Sequence, residues 1–176
     1  MIVALIMSLL IIFGPHRAPY LSQPYAFCEG LLLGAISSVY AAKYPGIVSN
    51  AMLLTLSCLG LMLVLYRLKI IRNTERFRSV IMTATMAIGV TYLINMVMSF
   101  FGTSIPMIHK STPMGIGFSV VVVGVAAFNL IVDFDFIEQA HSAPKYMEWY
   151  GAFALLVTLV WLYLEILRLL SKINKK

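Results

Sequence analysis

Five stretches of this chain are each long enough to cross a bilayer and are almost wholly apolar. They run from Pro24 to Ala42, Ile47 to Tyr66, Val80 to Phe101, Met114 to Ile137 and Trp149 to Leu170. A membrane-crossing helix needs about 20 mostly apolar residues. In hydrocarbon the backbone has no water to bond to, so such runs fold as helices. Composition agrees: 61% of residues are hydrophobic and only 11% are charged, against roughly a quarter charged in soluble domains. The fold class expected is therefore an all-α integral membrane protein, one domain over 1–176, with about six hydrophobic helices.

The net charge of +6 is better explained by the membrane than by nucleic acid, because of where the charges lie. Arg67, Lys69, Arg72, Arg76 and Arg78 fall in one stretch, and Arg168, Lys172, Lys175 and Lys176 end the chain. Basic clusters flanking apolar runs orient helices towards the cytoplasm. The loop 67–79 is accordingly placed on the cytoplasmic side. Alternation then puts the loops 14–23 and 138–148 on that side and the basic tail opposite, against the rule. A tail that is an exception and a re-entrant last segment both resolve this. The connections between the five runs are four to thirteen residues long, so sequential helices are expected to pack antiparallel. Tyr44-Pro45-Gly46, Gly102 with Pro106 and Pro113, and Pro144 are the turn signals.

The opening run, Met1 to Phe13, is too short to span and is ended by Gly14-Pro15. It lacks the basic start and small-residue cleavage site of a signal peptide, and is read as a clipped helix of a larger bundle. Ala26, Gly30, Gly34 and Ser38 recur every four residues, a small-residue face of the kind that lets helices approach closely in lipid. Gly117 and Gly124 are expected to do the same on the run from Met114 to Ile137. Cys28 and Cys58 lie inside apolar runs and are read as packing residues.

Seven acidic residues remain, and their positions carry the functional argument. Glu29, Asp133, Asp135 and Glu165 lie within apolar runs, Glu138 and Glu148 flank them, and Glu75 alone sits in a loop. A carboxylate at the bilayer centre costs about 2.5–3.5 kcal/mol or more, and by default marks an ion or proton path. Asp133 has Asn129 one turn before it on the same face. Asp135 points to nearly the opposite face, and with Glu138 stands near a helix end, where water is close. Glu165 has Arg168 three residues on, so a local ion pair is the bland alternative. Glu29 is read as opening its helix, where it can snorkel to the interface. Glu29, Asp133 and Glu148 fall at similar depth and can converge. Carboxylates sharing a dry site become proton-sensitive, and their oxygens are the hard ligands Ca²⁺ prefers. Motifs of soluble enzymes are absent, and His16, His109 and His141 sit in separate loops without ligand spacing. No enzyme activity and no cofactor are expected.

The stretches NLIVDFDFIEQ at 129–139 and APKYMEWYGAFALLVTLVWLYLEILRLL at 143–170, with FCEGLLLGAISSVYAAKYPGIVSNAMLLT at 27–55, resemble the bacterial branch of the Bax inhibitor-1 (transmembrane Bax inhibitor motif) family. The resemblance covers roughly residue 15 onward and implies a seven-helix bundle with a central last helix, here lacking the first. It also implies a pH-sensitive calcium leak gated by an acidic pair. The family pattern Asp-x-x-x-Ile matches Asp133 and Ile137. The pattern Leu-Tyr-Leu-Asp is similar to Leu162-Tyr163-Leu164-Glu165, with Glu in place of Asp. By carry-over Asp133 and Glu165 are the gating pair and the Ca²⁺ contacts, with Asn129 and Arg168 supporting. A hairpin turning near Ala143 would level Asp133 with position 152 or so, setting Glu165 roughly 20 Å further across. Glu29 and Glu148 are then the alternative partners. The function expected is a passive, proton-sensitive cation leak in the bacterial cytoplasmic membrane. The rival is a non-transporting modulator of another membrane protein, such as a quality-control protease.

Overall fold

The structure, a computed structural model, describes residues 2–100 and 112–175. Among the described residues six α-helices run in order: α1 Ile2–Phe13, α2 Ala18–Lys43, α3 Ile47–Arg67, α4 Glu75–Phe100, α5 Pro113–Ala140 and α6 Tyr146–Ile173. A single 3-10 turn, Pro15–Arg17, joins α1 to α2. Five of these helices are long and apolar enough to cross a membrane, and α1 is a shorter apolar helix. Phe101, the expected turn residues Gly102 and Pro106, and His109 with Lys110 lie outside the described residues.

The helices extend past the apolar runs, and local chemistry explains each extension. The run opening at Pro24 becomes a helix from Ala18, with Pro24 inside it. Ser22 and Tyr25 bury on either side of the proline, so packing carries the helix through a residue that disfavours it. α4 begins at Glu75 rather than Val80, because the Thr74 hydroxyl accepts the Phe77 amide at 3.2 Å, a side-chain N-cap. Arg76 and Arg78 therefore ride on a helix and not in a loop. Thr112 caps α5 in the same way through the Gly115 amide. Between α2 and α3 the chain reverses at Pro45-Gly46, where Gly46 takes φ +80, a conformation that glycine adopts without strain.

α6 sits at the centre, packed along α5 and against α2 and α3. Its buried Leu162, Ile166 and Leu167 meet Ala126, Ala127 and Leu130 of α5 and Ile47 and Ala51 of α3. α6 is one uninterrupted helix of 28 residues, antiparallel to α5 along its length. The re-entrant alternative is not formed. α1 packs with α2 around Ile11, Tyr25 and Phe153. Cys28 and Cys58 are free thiols packed against these two clusters.

Small residues do their work in a different place from the one their spacing predicted. A Cβ added at Gly30, Gly34, Gly117 or Gly124 would meet nothing within 4 Å, so these glycines make no close helix contact among the described residues. α2 turns Ser22, Tyr25, Leu33 and Ser37 inward, and the small-residue face borders an open groove shared with α3 and α6. The close approach is at Gly151 of α6, where a Cβ would lie 2.9 Å from Ile137 of α5. The outer faces carry large exposed apolar side chains on every helix from α1 to α4, including Leu31, Leu53, Leu56, Met86 and Leu93. An apolar surface this extensive belongs in lipid.

A polar path inside the bundle

Polar side chains of α4, α5 and α6 meet inside the bundle at three depths. The first holds Asp133 of α5, whose carboxyl is in hydrogen-bonding reach of Thr158 of α6. Its Oδ2 is buried without a hydrogen-bond partner among the described residues. One turn along, the Asn129 amide donates to Thr85 of α4 at 2.7 Å and to the Val125 carbonyl at 2.9 Å. Asn129 thus bonds to α4 and to its own helix, and neither of these bonds goes to Asp133.

The second depth centres on Glu165, which is 1% exposed. Its Oε1 accepts from Arg168 Nη1 at 2.7 Å and from the Tyr92 hydroxyl of α4 at 2.7 Å. Arg168 also donates to that hydroxyl at 2.6 Å, with its guanidinium 5.0 Å from the Tyr92 ring centroid. The three groups close a ring that ties α4 to α6. Among the described residues Glu165 Oε2 is buried and has no hydrogen-bond partner. At the third depth Lys172 is 3% exposed and donates to the Gly115 carbonyl at 2.9 Å and Ser119 Oγ at 2.7 Å.

These contacts settle where the expected gating pair stands. Asp133 is level with Thr158, and Glu165 is seven residues further on, about 10 Å at 1.5 Å per residue. That is closer than the hairpin estimate of roughly 20 Å, because Asp133 aligns with Thr158 and not with position 152. The two carboxyls still do not touch. On α4, Ile88, 8% exposed, follows Thr85 by three residues and precedes Tyr92 by four, on the same face of the helix.

The other acids lie apart from this line. Glu29 is mid-helix in α2, half-buried, and does not open the helix as expected. Glu148 lies in the first turn of α6, 3.9 Å from His141 with both exposed. Among the described residues no hydrogen bond or ion pair joins either of them to Asp133. Asp135, on the opposite face from Asp133, lines an end cleft with Glu138. No three His, Cys, Asp or Glu side chains converge among the described residues.

Tyr92, Thr158 and Lys172 were missed by sequence reasoning. The sequence groups Lys172 with the basic tail, although Glu165, Arg168 and Lys172 follow the three-then-four spacing of one helix face. With Arg168 and Lys172 bonded inside the bundle, fewer basic groups remain in the tail to oppose the charge rule. Tyr92 carries no signal of its own; a tyrosine in an apolar run is as often a membrane-interface anchor.

Apolar outer faces, spanning helices and a polar interior define a polytopic all-α membrane protein. The family model described as Bax inhibitor 1 like matches residues 1–175. The chain belongs to that family. No curated protein and no solved structure matches it.

Proposed function

We propose that this protein is a non-enzymatic, pH-sensitive passive leak for cations, Ca²⁺ foremost, in a bacterial cytoplasmic membrane with the loop after α3 facing the cytoplasm. The observation that carries the reading is the pair of interior carboxyls, Asp133 and Glu165, each with one buried oxygen lacking a partner. A buried acceptor left unsatisfied costs about 1–3 kcal/mol, more if charged, and a permeant cation or a proton would relieve it. At Glu165 the resident cation is Arg168, one-third exposed in its side chain. A passing ion would displace it.

Ca²⁺ flux into proteoliposomes, followed from pH 5 to 8, tests this. Wild type should pass Ca²⁺ with a clear pH dependence, and Asp133→Asn and Glu165→Gln should each flatten it. Folded protein that passes no Ca²⁺ at any of these pH values would sink the leak reading. The second reading, a modulator of another membrane protein, draws support from the open groove beside Gly30, Gly34 and Tyr163. On that reading Asp133→Asn leaves function intact, and crosslinking in native membrane recovers a stoichiometric partner.

A further inference from the structure

The turn that ends α3 is built around Lys69, which takes a left-handed φ of 55, with the Ile70 amide returning to the Leu65 carbonyl at 3.1 Å. Between this turn and the last turns of α5 lies a cleft of about 460 Å³ lined by charges of both signs. Arg67, Lys69 and Arg72 come from the turn, and Asp135 and Glu138 from α5. Among the described residues these three cations form no ion pair, although two carboxylates line the same cleft.

The carboxylates are held by neutral donors instead. Asn73 Nδ2 and Gln139 Nε2 donate to Asp135 Oδ2 at 2.8 and 2.6 Å. The Tyr66 hydroxyl donates to Glu138, and to Asp135 at 3.4 Å. Asn73 Oδ1 is buried and has no hydrogen-bond partner. Cations and acceptors thus face one space without neutralising each other.

Depth identifies what could fill that space. α5 has 28 residues, about 42 Å at 1.5 Å per residue, against a hydrocarbon core of about 30 Å. Its last turns, with Asp135 and Glu138, therefore reach the headgroup layer. Leu68 and Ile70, 65% and 64% exposed, flank the cleft with apolar surface on which an acyl chain can lie.

We propose that this cleft binds the headgroup of a zwitterionic aminophospholipid. Arg67, Lys69 and Arg72 take the phosphate, whose oxygens suit guanidinium and ammonium donors. The primary ammonium has three N–H donors, and the carboxylates of Asp135 and Glu138 offer acceptors for them in the cleft. A quaternary choline offers no N–H, and a glycerol headgroup offers no positive charge to the two carboxylates. The inference does not rest on the leak reading, because none of these side chains joins the interior path.

The test uses the full chain in nanodiscs and in detergent. Binding of phosphatidylethanolamine, phosphatidylcholine and phosphatidylglycerol with matched acyl chains is compared by native mass spectrometry and thermal shift. Phosphatidylethanolamine should bind at least about tenfold more tightly than either other lipid, the worth of one charge-assisted hydrogen bond. Arg72→Gln should weaken all three. Glu138→Gln should erase the preference over phosphatidylcholine while leaving phosphatidylcholine binding intact. Equal binding of the three lipids, or a preference for phosphatidylglycerol, would overturn the proposal. So would competition by inorganic phosphate as effective as the lipid, or a Glu138→Gln variant that keeps the preference.

Discussion

The α5–α6 hairpin and the α2 helix are both rich in small residues, yet they solve opposite problems. In the hairpin, 39% of each helix's most apolar window is buried; in α2 the share is 11%. Gly151 lets α6 close onto Ile137, and the buried face around it carries Asp133, Glu165 and Lys172 with their partners. The Gly30 and Gly34 face of α2 meets open space. Identical spacing rules apply to both helices, so spacing alone does not set the difference. Neighbours do: α6 has helices on several sides, while one side of α2 is left to lipid. In a bilayer, association gains little from hydrophobicity, so close packing concentrates where polar groups need partners.

The hardest blow to the hairpin should come from its buried ion pair. Arg168→Gln leaves Glu165 in the interior with Tyr92 as its remaining donor. Removing one partner of a buried pair costs about 3–5 kcal/mol, and the partly exposed guanidinium points to the lower end. Unfolding in mixed micelles of increasing denaturing detergent measures it. Unchanged stability at neutral pH would mean that the ring of Glu165, Arg168 and Tyr92 does not hold α4 to α6.

Packing gives the next largest effect. Gly151→Ala puts a methyl group 2.9 Å from Ile137 Cγ1 and 3.5 Å from Phe136. Overpacking a close contact costs about 1–3 kcal/mol. The same unfolding assay should show that loss, and Ile137→Ala in the same chain should recover part of it, since touching residues couple. Additive losses would show that the two helices do not press together at this point.

Much of this was legible in the sequence, for physical reasons that differ by residue. The spanning helices were legible because lipid leaves a long apolar run no other fold. Their ends were not, since Thr74 and Thr112 cap with side chains that look like ordinary loop residues. Asp133 and Glu165 stood out as acids in apolar runs, and Arg168 as the near neighbour of Glu165. The third member, Tyr92, lies 73 residues from Glu165, and no local pattern predicts a contact across α4 and α6. Lys172 was hidden by position: three residues before a basic end, it reads as solvated, but the helix carries it inward to Ser119. Gly30 and Gly34 show the converse. A motif can be read correctly as a face without saying what, if anything, the face meets.

That last point makes the smallest effect the sharpest test of the comparison. Alanine is about 1 kcal/mol better than glycine inside a helix, and a Cβ at Gly30 or Gly34 meets no atom. Gly30→Ala and Gly34→Ala should therefore leave stability unchanged or raise it by up to about 1 kcal/mol in the same assay. The substitution that weakens α6 at Gly151 would then strengthen α2, with only the neighbourhood differing. A loss at Gly30 or Gly34 would break the contrast, because a methyl can only harm a face that something already covers. The concentration dependence of that loss would separate a second copy of this chain from a different partner. A loss that grows with protein concentration points to self-association through the groove beside Tyr163. One that appears only in native membrane, and vanishes on purification, favours the modulator reading over the leak.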